Sequence, residues 1–407
     1  MGKRFGNPLI PIFITVFLDM LGLSIVIPVI PAVFFDGDST FFLTEVTQKT
    51  RSIYYGFLIA AFPIMQFFGA PILGALSDRY GRKPLLQISQ VGAFLGYLIF
   101  ALALGWHSLL VLFIARLIPG FMGGNIAIVY SAVADITEPK DKAKNFGLVG
   151  AAFGLGFILG PALGGFLADA NIVSWFSHST PFYFTAALTL VNIFLVQILF
   201  PETLKQKSRT KISMFSGFRN IRKSFASPNL RKVFLVVLLL SLGFTFFTQF
   251  FSVLLFEKFK WSESNIGLLY GWVGIWLVLT QGLIVRKMSG KIAPKAILPF
   301  SIFALAVSLF LLILPDKGWW FFVINPLIAL SHGITSPNMT SIVSESASIK
   351  EQGEIMGINQ SMNSVGQAIP PLIAGYLNAL NGMFPILAGS LLIFVAWLVF
   401  QFGLGKK

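Results

Sequence analysis

The feature that most limits what this chain can become is a train of twelve apolar stretches. They lie at about 8–34, 53–77, 84–105, 108–134, 145–168, 181–200, 233–256, 264–285, 294–314, 319–343, 355–377 and 383–404. A helix needs about 20 predominantly apolar residues to cross a bilayer, so the pattern predicts twelve spans with connections too short for a large soluble domain. Of 407 residues, 56% are hydrophobic and 11% charged, whereas soluble domains carry roughly 25% charge. The 38 Gly and 21 Pro fit the same reading, because neighbouring helices in a membrane bundle satisfy the backbone groups they free. The first stretch is too long for a secretory signal, holds Asp19 and lacks a small-residue cleavage site, so it reads as a span.

The placement of charge gives the topology. An even number of spans leaves both termini on one side, and positive residues choose which. Of the 30 Lys and Arg, 24 fall on the side of the termini, five on the other, and Arg116 alone lies inside a span, so both termini are expected in the cytoplasm. The net charge of +14 therefore belongs to loops, and its expected partner is anionic membrane lipid rather than nucleic acid. The segment 201–232 carries nine basic residues against the single acid Glu202 and separates two sets of six spans, 1–200 and 233–407. The halves are related. Gly74–Lys83 lies 208 positions before Gly282–Lys291, and Pro161–Gly165 lies 210 before Pro371–Gly375, each pair in corresponding places. The expected fold is an all-α membrane protein of twelve transmembrane helices in two pseudo-symmetric six-helix bundles.

Enzyme signatures are missing. There is no Walker loop and no zincin helix, His numbers three, and with no Cys there is neither thiol chemistry nor a thiolate metal site. Gly120, Gly123 and Gly124 sit inside a span and do not read as a phosphate cradle. No metal and no cofactor is expected. What remains is two charges placed where charge is expensive, Asp19 and Arg116. Ionisable residues deep in a span usually face a cavity or a partner. Arg116 stays protonated and supplies a fixed positive field, while Asp19 can take up and release a proton. Two readings are open: a permanent Asp19–Arg116 pair that orients the first and fourth helices, or a carboxylate that binds either a proton or cargo, so that inward proton flow drives export by mutual exclusion.

At these residues a resemblance enters. GALSDRYGRK at 74–83 resembles the cytoplasmic loop signature of the major facilitator superfamily, and GLGFILGPALGG at 154–165 resembles the fifth-helix signature of its proton-coupled exporters. Asp19 within LDMLGLSIVIPVIP and Arg116 within ARLIPG add two further matches on the corresponding helices. The likeness is closest to tetracycline/proton and related multidrug antiporters. By that resemblance, Asp78, Arg79 and Arg82 lock the halves in the outward-facing state, with Gly74 and Gly81 shaping the loop. The glycine-rich run Gly156, Gly160, Pro161, Gly164 and Gly165 marks exporters. On physical grounds Gly74 allows close helix approach, Asp78 can meet a basic side chain or a helix N-terminus, and the run on the fifth helix serves gliding contact or simple packing.

The expected cargo is a small amphipathic compound, aromatic or cationic, carried by a monomer in the cell (inner) membrane. Candidate contacts are Gln66 and Asn125 in the first half, with Gln249, Gln281, His332, Asn338, Asn359 and Asn363 in the second. Each is equally an interhelical hydrogen-bonding group, and His332 is also a second proton candidate. Phe244, Phe246, Phe247, Phe250 and Phe251 either line an aromatic cavity or face lipid. The weak second loop motif, and the lack of a membrane-embedded acid in the second half, leave room for a same-fold carrier of a metabolite, siderophore or lipid, by import or without coupling.

Overall fold

The computed structural model describes residues 9–36, 41–42, 46–137, 142–204, 207, 218–219, 221–222, 225, 228–288, 291–346 and 352–404. Most of the expected linker 201–232, and both ends of the chain, lie outside the described residues. Those residues form helices and no strand. The first half contains α1 (Leu9–Ser24), α2 (Val26–Phe35), α3 (Gln48–Tyr80), α4 (Arg82–Gly105), α5 (Leu109–Met122), α6 (Ile126–Ile136), α7 (Lys142–Ala168) and α8 (Thr180–Leu199). The second contains α9 (Pro228–Phe259), α10 (Glu263–Leu279), the short α11 (Arg286–Met288), α12 (Pro294–Leu311), α13 (Phe321–Glu345), α14 (Gln352–Leu380) and α15 (Phe384–Gly403).

Two expected spans are each built from a broken helix. Between α1 and α2 the chain turns at Ile25. Pro28 has no N–H to give the carbonyl four residues back, that of Ser24, and the Ser24 hydroxyl bonds back to the Met20 carbonyl at 2.8 Å. The fourth span breaks between α5 and α6, where Gly123–Asn125 form a single 3-10 turn after Pro119. In the eighth, Thr280–Val285 runs as a π-helix between α10 and α11, at the start of the segment that repeats the first loop motif.

Among the described residues, ten helical segments are long and apolar enough to cross a membrane. The expected tenth and eleventh spans appear as α13, of 25 residues, and α14, of 29. Asn325, Ser331, Thr335 and Ser364 dilute their hydropathy, and these side chains are buried. Large apolar side chains elsewhere point outward, with Leu110 72% and Phe300 78% exposed, a surface suited to acyl chains rather than water.

Packing divides the chain into two compact units. One holds Met1–Leu43, Ala61–Ser216 and Ser262–Gly267; the other holds Thr44–Ala60, Gly217–Trp261 and Leu268–Lys407. Lipid tails are as apolar as Leu, so helices here associate through close van der Waals fit and hydrogen bonds rather than by escaping water. In the first unit, α7 packs along α1 and α2 and fits by having no side chains there. A Cβ at Gly156, Gly160 or Gly164 would lie 2.3 Å from the Phe17 carbonyl oxygen, 2.0 Å from Ser24 Oγ and 2.5 Å from the Ile25 carbonyl oxygen. Ser24 Oγ also bonds to the Gly156 carbonyl at 3.2 Å. In the second unit, α9 packs on α14 and α15, and Gly243 and Gly389 bring backbones together, a Cβ at Gly243 falling 2.7 Å from the Gly389 carbonyl oxygen.

Candidate functional site

The first unit contains a polar cluster in an otherwise apolar interior. Thr15 and Asp19 stand one helical turn apart on α1, and so on one face of it. Gln90 reaches them from α4, Asn192 from α8, and Asn125 from the 3-10 turn between α5 and α6. Asn125 Nδ2 donates to Asp19 Oδ2 at 2.7 Å and Gln90 Nε2 donates to Asp19 Oδ1 at 3.1 Å. Behind them, Asn192 Nδ2 donates to Gln90 Oε1 at 3.1 Å and to Thr15 Oγ1 at 3.0 Å. Gln90, Asn192 and Thr15 are fully buried, and Asn125 nearly so. Asp19 as a residue is half-buried.

The local sequence explains the geometry. Gly120 and Gly124 let the kinked α5–α6 segment ride directly on α3, a Cβ at Gly124 falling 2.3 Å from the Ala70 nitrogen, and Gln66 fixes the turn by donating to the Gly123 carbonyl at 3.0 Å. Asn125 is thereby aimed at α1. Arg116 is buried on the same kinked segment, its guanidinium 5.2 Å from the centre of the Phe62 ring. Asp19 is held by two neutral amides. Tyr97 on α4 stands within electrostatic reach of both charges, and its hydroxyl occupies the space a side chain at Gly22 would need.

At the other end of this unit, the loop motif forms a charged knot. Gly81 links α3 to α4 with φ of 118°. Buried Arg82 donates through Nη1 to Asp78 Oδ1 at 2.5 Å and to Ser77 Oγ at 2.6 Å, and through Nε to Asp135 Oδ2 at 3.1 Å. Glu202, just after α8, caps α4: its oxygens accept from the Arg82 and Lys83 backbone N–H groups at 2.9 and 3.2 Å, where the helix presents unpaired donors and positive potential. A cavity of about 480 Å³ opens beside it, lined by Asp135, Thr137, Glu202 and Thr203. Arg79 is set apart, exposed over the Tyr80 ring at 5.3 Å. A Cβ at Gly74 would meet Ala127 at 3.5 Å, an ordinary contact.

On α7, Gly156, Gly160 and Gly164 face α1 and α2, while Gly165 faces the start of α10, a Cβ there falling 2.2 Å from the Glu263 carbonyl oxygen; Pro161 contributes its carbonyl oxygen beside Gly267. In the second unit, His332 stacks on Phe244 with ring centres 3.7 Å apart and planes 1° from parallel. Asn338 Nδ2 bonds back to the Ile334 carbonyl at 2.7 Å, and the Asn363 carbonyl accepts from Ser241 at 3.3 Å. The Gln249 carbonyl accepts from Tyr55 at 2.8 Å, and Gln281 is exposed on the π segment. The structure thus brings Asp19 and Asn125 together, with Gln66 bonded to the backbone two residues before Asn125, and sets Gln281 apart on an exposed face. Gln90, Asn192 and Thr15 were absent from the sequence reading.

Comparison with known proteins agrees along most of the chain. A sequence model described as Major Facilitator Superfamily matches residues 12–371. The tetracycline resistance protein, class C, of Escherichia coli is 32% identical over 374 residues, covering 91% of this chain and 89% of that protein. The quinolone resistance protein NorA of Staphylococcus aureus is 29% identical over 371 residues, covering 90% and 88%. Among solved structures, the human organic anion transporter TETRAN has a TM-score of 0.74 at 22% identity, covering 97% of this chain and 98% of that one. A bacterial homologue of the human lysosomal transporter Spinster, inward-facing and occupied, has a TM-score of 0.71 at 13% identity over 97% of this chain and 95% of that one. Both structural likenesses speak for the fold.

Proposed function

The chain belongs to the Major Facilitator Superfamily, and from that membership we propose that it exports small amphipathic, drug-like compounds in exchange for protons, with Asp19 as the coupling carboxylate. As a family member it is a multi-pass membrane transporter of small molecules rather than an enzyme, related to proteins of tetracycline and quinolone resistance. Those relatives suggest planar, multi-ring cargo and a bacterial inner membrane. Working as a monomer with both termini in the cytoplasm, the halves 1–200 and 233–407 would expose the cargo site to each side in turn.

One observation carries the coupling: a carboxylate in the apolar interior of a span whose oxygens are held by neutral amides. A carboxylate already locked to a guanidinium would lose an ion pair on protonation. One held by amides can accept a proton, or release it to admit a cationic or hydrogen-bonding cargo, while Arg116 keeps a fixed positive charge in the same interior. Proton and cargo then compete for one site, and the proton gradient drives the exchange. The knot around Arg82, including Asp78, acts as the gate whose making and breaking accompanies the change of access.

The test is transport of tetracycline and of a fluoroquinolone in proteoliposomes under an imposed acid gradient. Wild type moves cargo outward as protons enter. Asp19→Asn, folded and reconstituted equally, loses gradient-driven flux while keeping slow, gradient-independent exchange. Undiminished proton-driven transport in that variant excludes Asp19 as the coupling group.

A further inference from the structure

The amides behind Asp19 are arranged in series, and one of their atoms is idle. Asn192 spends both amide hydrogens, on Gln90 Oε1 and Thr15 Oγ1, while its own Oδ1 is buried without a hydrogen-bond partner among the described residues. A buried acceptor left empty is costly, and it lies on a residue two hydrogen bonds from the carboxylate. We propose that Gln90 and Asn192 form a reversible hydrogen-bond chain that reads whether Asp19 carries a proton and passes that state to the contact between α1 and α8. The proposal rests on the reading of Asp19 as the proton carrier.

The argument is one of donor and acceptor accounting. In the observed arrangement both groups aimed at Asp19 are donors, Gln90 Nε2 and Asn125 Nδ2, which suits a carboxylate that can only accept. When Asp19 gains a proton on Oδ1, its new O–H confronts the Gln90 N–H, donor against donor. Turning the Gln90 amide by half a revolution removes the conflict: Oε1 now accepts from the carboxyl, and Nε2 faces Asn192. That N–H needs an acceptor in turn, and Asn192 supplies one by the same half-turn, which brings Oδ1 to where Nδ2 stood. There it accepts from Gln90 and from the Thr15 hydroxyl, which can rotate to donate.

In each arrangement one atom of Asn192 is left over, Oδ1 in the first and Nδ2 in the second. Neither state satisfies Asn192 fully, and the charge on Asp19 selects between them. No covalent bond is made or broken beyond the carboxyl O–H itself. The neighbouring groups do not duplicate this role. The α7 face against α1 carries Gly156, Gly160 and Gly164, α8 contributes the neutral Asn192, α4 carries Tyr97, which feels both Asp19 and Arg116 of α5, and α6 carries Tyr130, packed with Ile12 and Val16 of α1. Gln90 and Asn192 are thus positioning residues: Gln90 touches the carboxylate, and Asn192 acts through Gln90.

The experiment needs no cargo. The purified full-length protein in liposomes is titrated while infrared difference spectra follow the carboxyl C=O band, assigned by its disappearance in Asp19→Asn. Gln90→Met displaces the midpoint of that band by about one pH unit, the size expected for one hydrogen bond to a charged group. Asn192→Leu, which never touches Asp19, displaces it in the same sense by less, and adds nothing once Gln90 is Met. Asn192→Ser, which can both donate and accept, returns the midpoint to the wild-type value and needs no change at Gln90. An unmoved midpoint in Asn192→Leu, or additive shifts in the double variant, overturns the chain. A titrating band that survives in Asp19→Asn instead removes the proton role on which it rests.

Discussion

At Gly81 the backbone turns with φ of 118°, and a Cβ there would lie 2.4 Å from Glu202 Oε2. An L side chain is strained in that region by about 1–3 kcal/mol, and the added methyl would push Glu202 off the N–H groups of Arg82 and Lys83. Gly81→Ala is expected to lower the apparent melting temperature in detergent. In a Glu202→Ala background the same substitution should cost less, because only the backbone strain remains. Equal stability of Gly81→Ala and wild type would show that neither effect operates. At this scale the sequence announces what is anomalous and hides what is ordinary. Asp19 and Arg116 stand out because charge in a span is expensive, and Gly81 because of its motif. Gln90 and Asn192 carry no charge and lie in helices that are otherwise apolar. Their only signal was a pair of amides in spans three and six, with Thr15 one turn from Asp19, and nothing in a linear chain says that three helices bring these together.

Helix α7 shows how one element meets several partners through small residues. A Cβ at Gly160 would sit 2.0 Å from Ser24 Oγ and 2.7 Å from the Leu21 carbonyl oxygen, while one at Gly154 meets nothing within 4 Å. Overpacking a close contact costs about 1–3 kcal/mol, whereas Ala in place of Gly inside a helix gains roughly 0.5–1 kcal/mol. Gly160→Ala should reduce the fraction of monodisperse protein on size-exclusion chromatography, and Gly154→Ala should match or exceed wild type. Equal behaviour of the two variants would dismiss the close-packing account. The glycine run was visible in the sequence, but its division into a face toward α1 and α2 and a single position, Gly165, toward α10 was not. Helix phase can be counted from a sequence, whereas neighbours cannot. The break at Ile25 follows from Pro28 and that at Gly123–Asn125 falls on paired glycines, yet apolar character alone draws each span as one continuous rod.

For the whole molecule, composition decided most. The scarcity of charge and the train of apolar runs implied a helical membrane bundle, and the described helices fall close to the expected spans, most of them beginning or ending a few residues away. Those differences arise because helices continue past the apolar region with residues that hydropathy does not count, as α3 does through Ser77–Tyr80. The polar content of α13 and α14 has a related cause: Asn325, Thr335 and Asn338 bond back to carbonyls of their own helix, Thr335 also reaches Ser301 on α12, and Ser331 and Ser364 are buried. Orientation is a property of the entire chain, and the lack of native Cys makes it directly measurable. Single variants Lys207→Cys and Trp175→Cys, both at exposed positions, should react with a membrane-impermeant maleimide from opposite sides. In intact cells only Trp175→Cys should be labelled, and the reverse pattern would invert the assignment made from the positive residues.

The bare stripe on α7 also limits how such a carrier can change under selection. Where not even a methyl group fits, few viable variants arise, so adaptation to a new toxic compound has to draw on other positions. Faces with more room, such as that of Gly154, where a Cβ meets nothing within 4 Å, can gain bulk without that clash. A laboratory population pressed with successive antibiotics should therefore accumulate changes there and leave positions 156, 160 and 164 untouched.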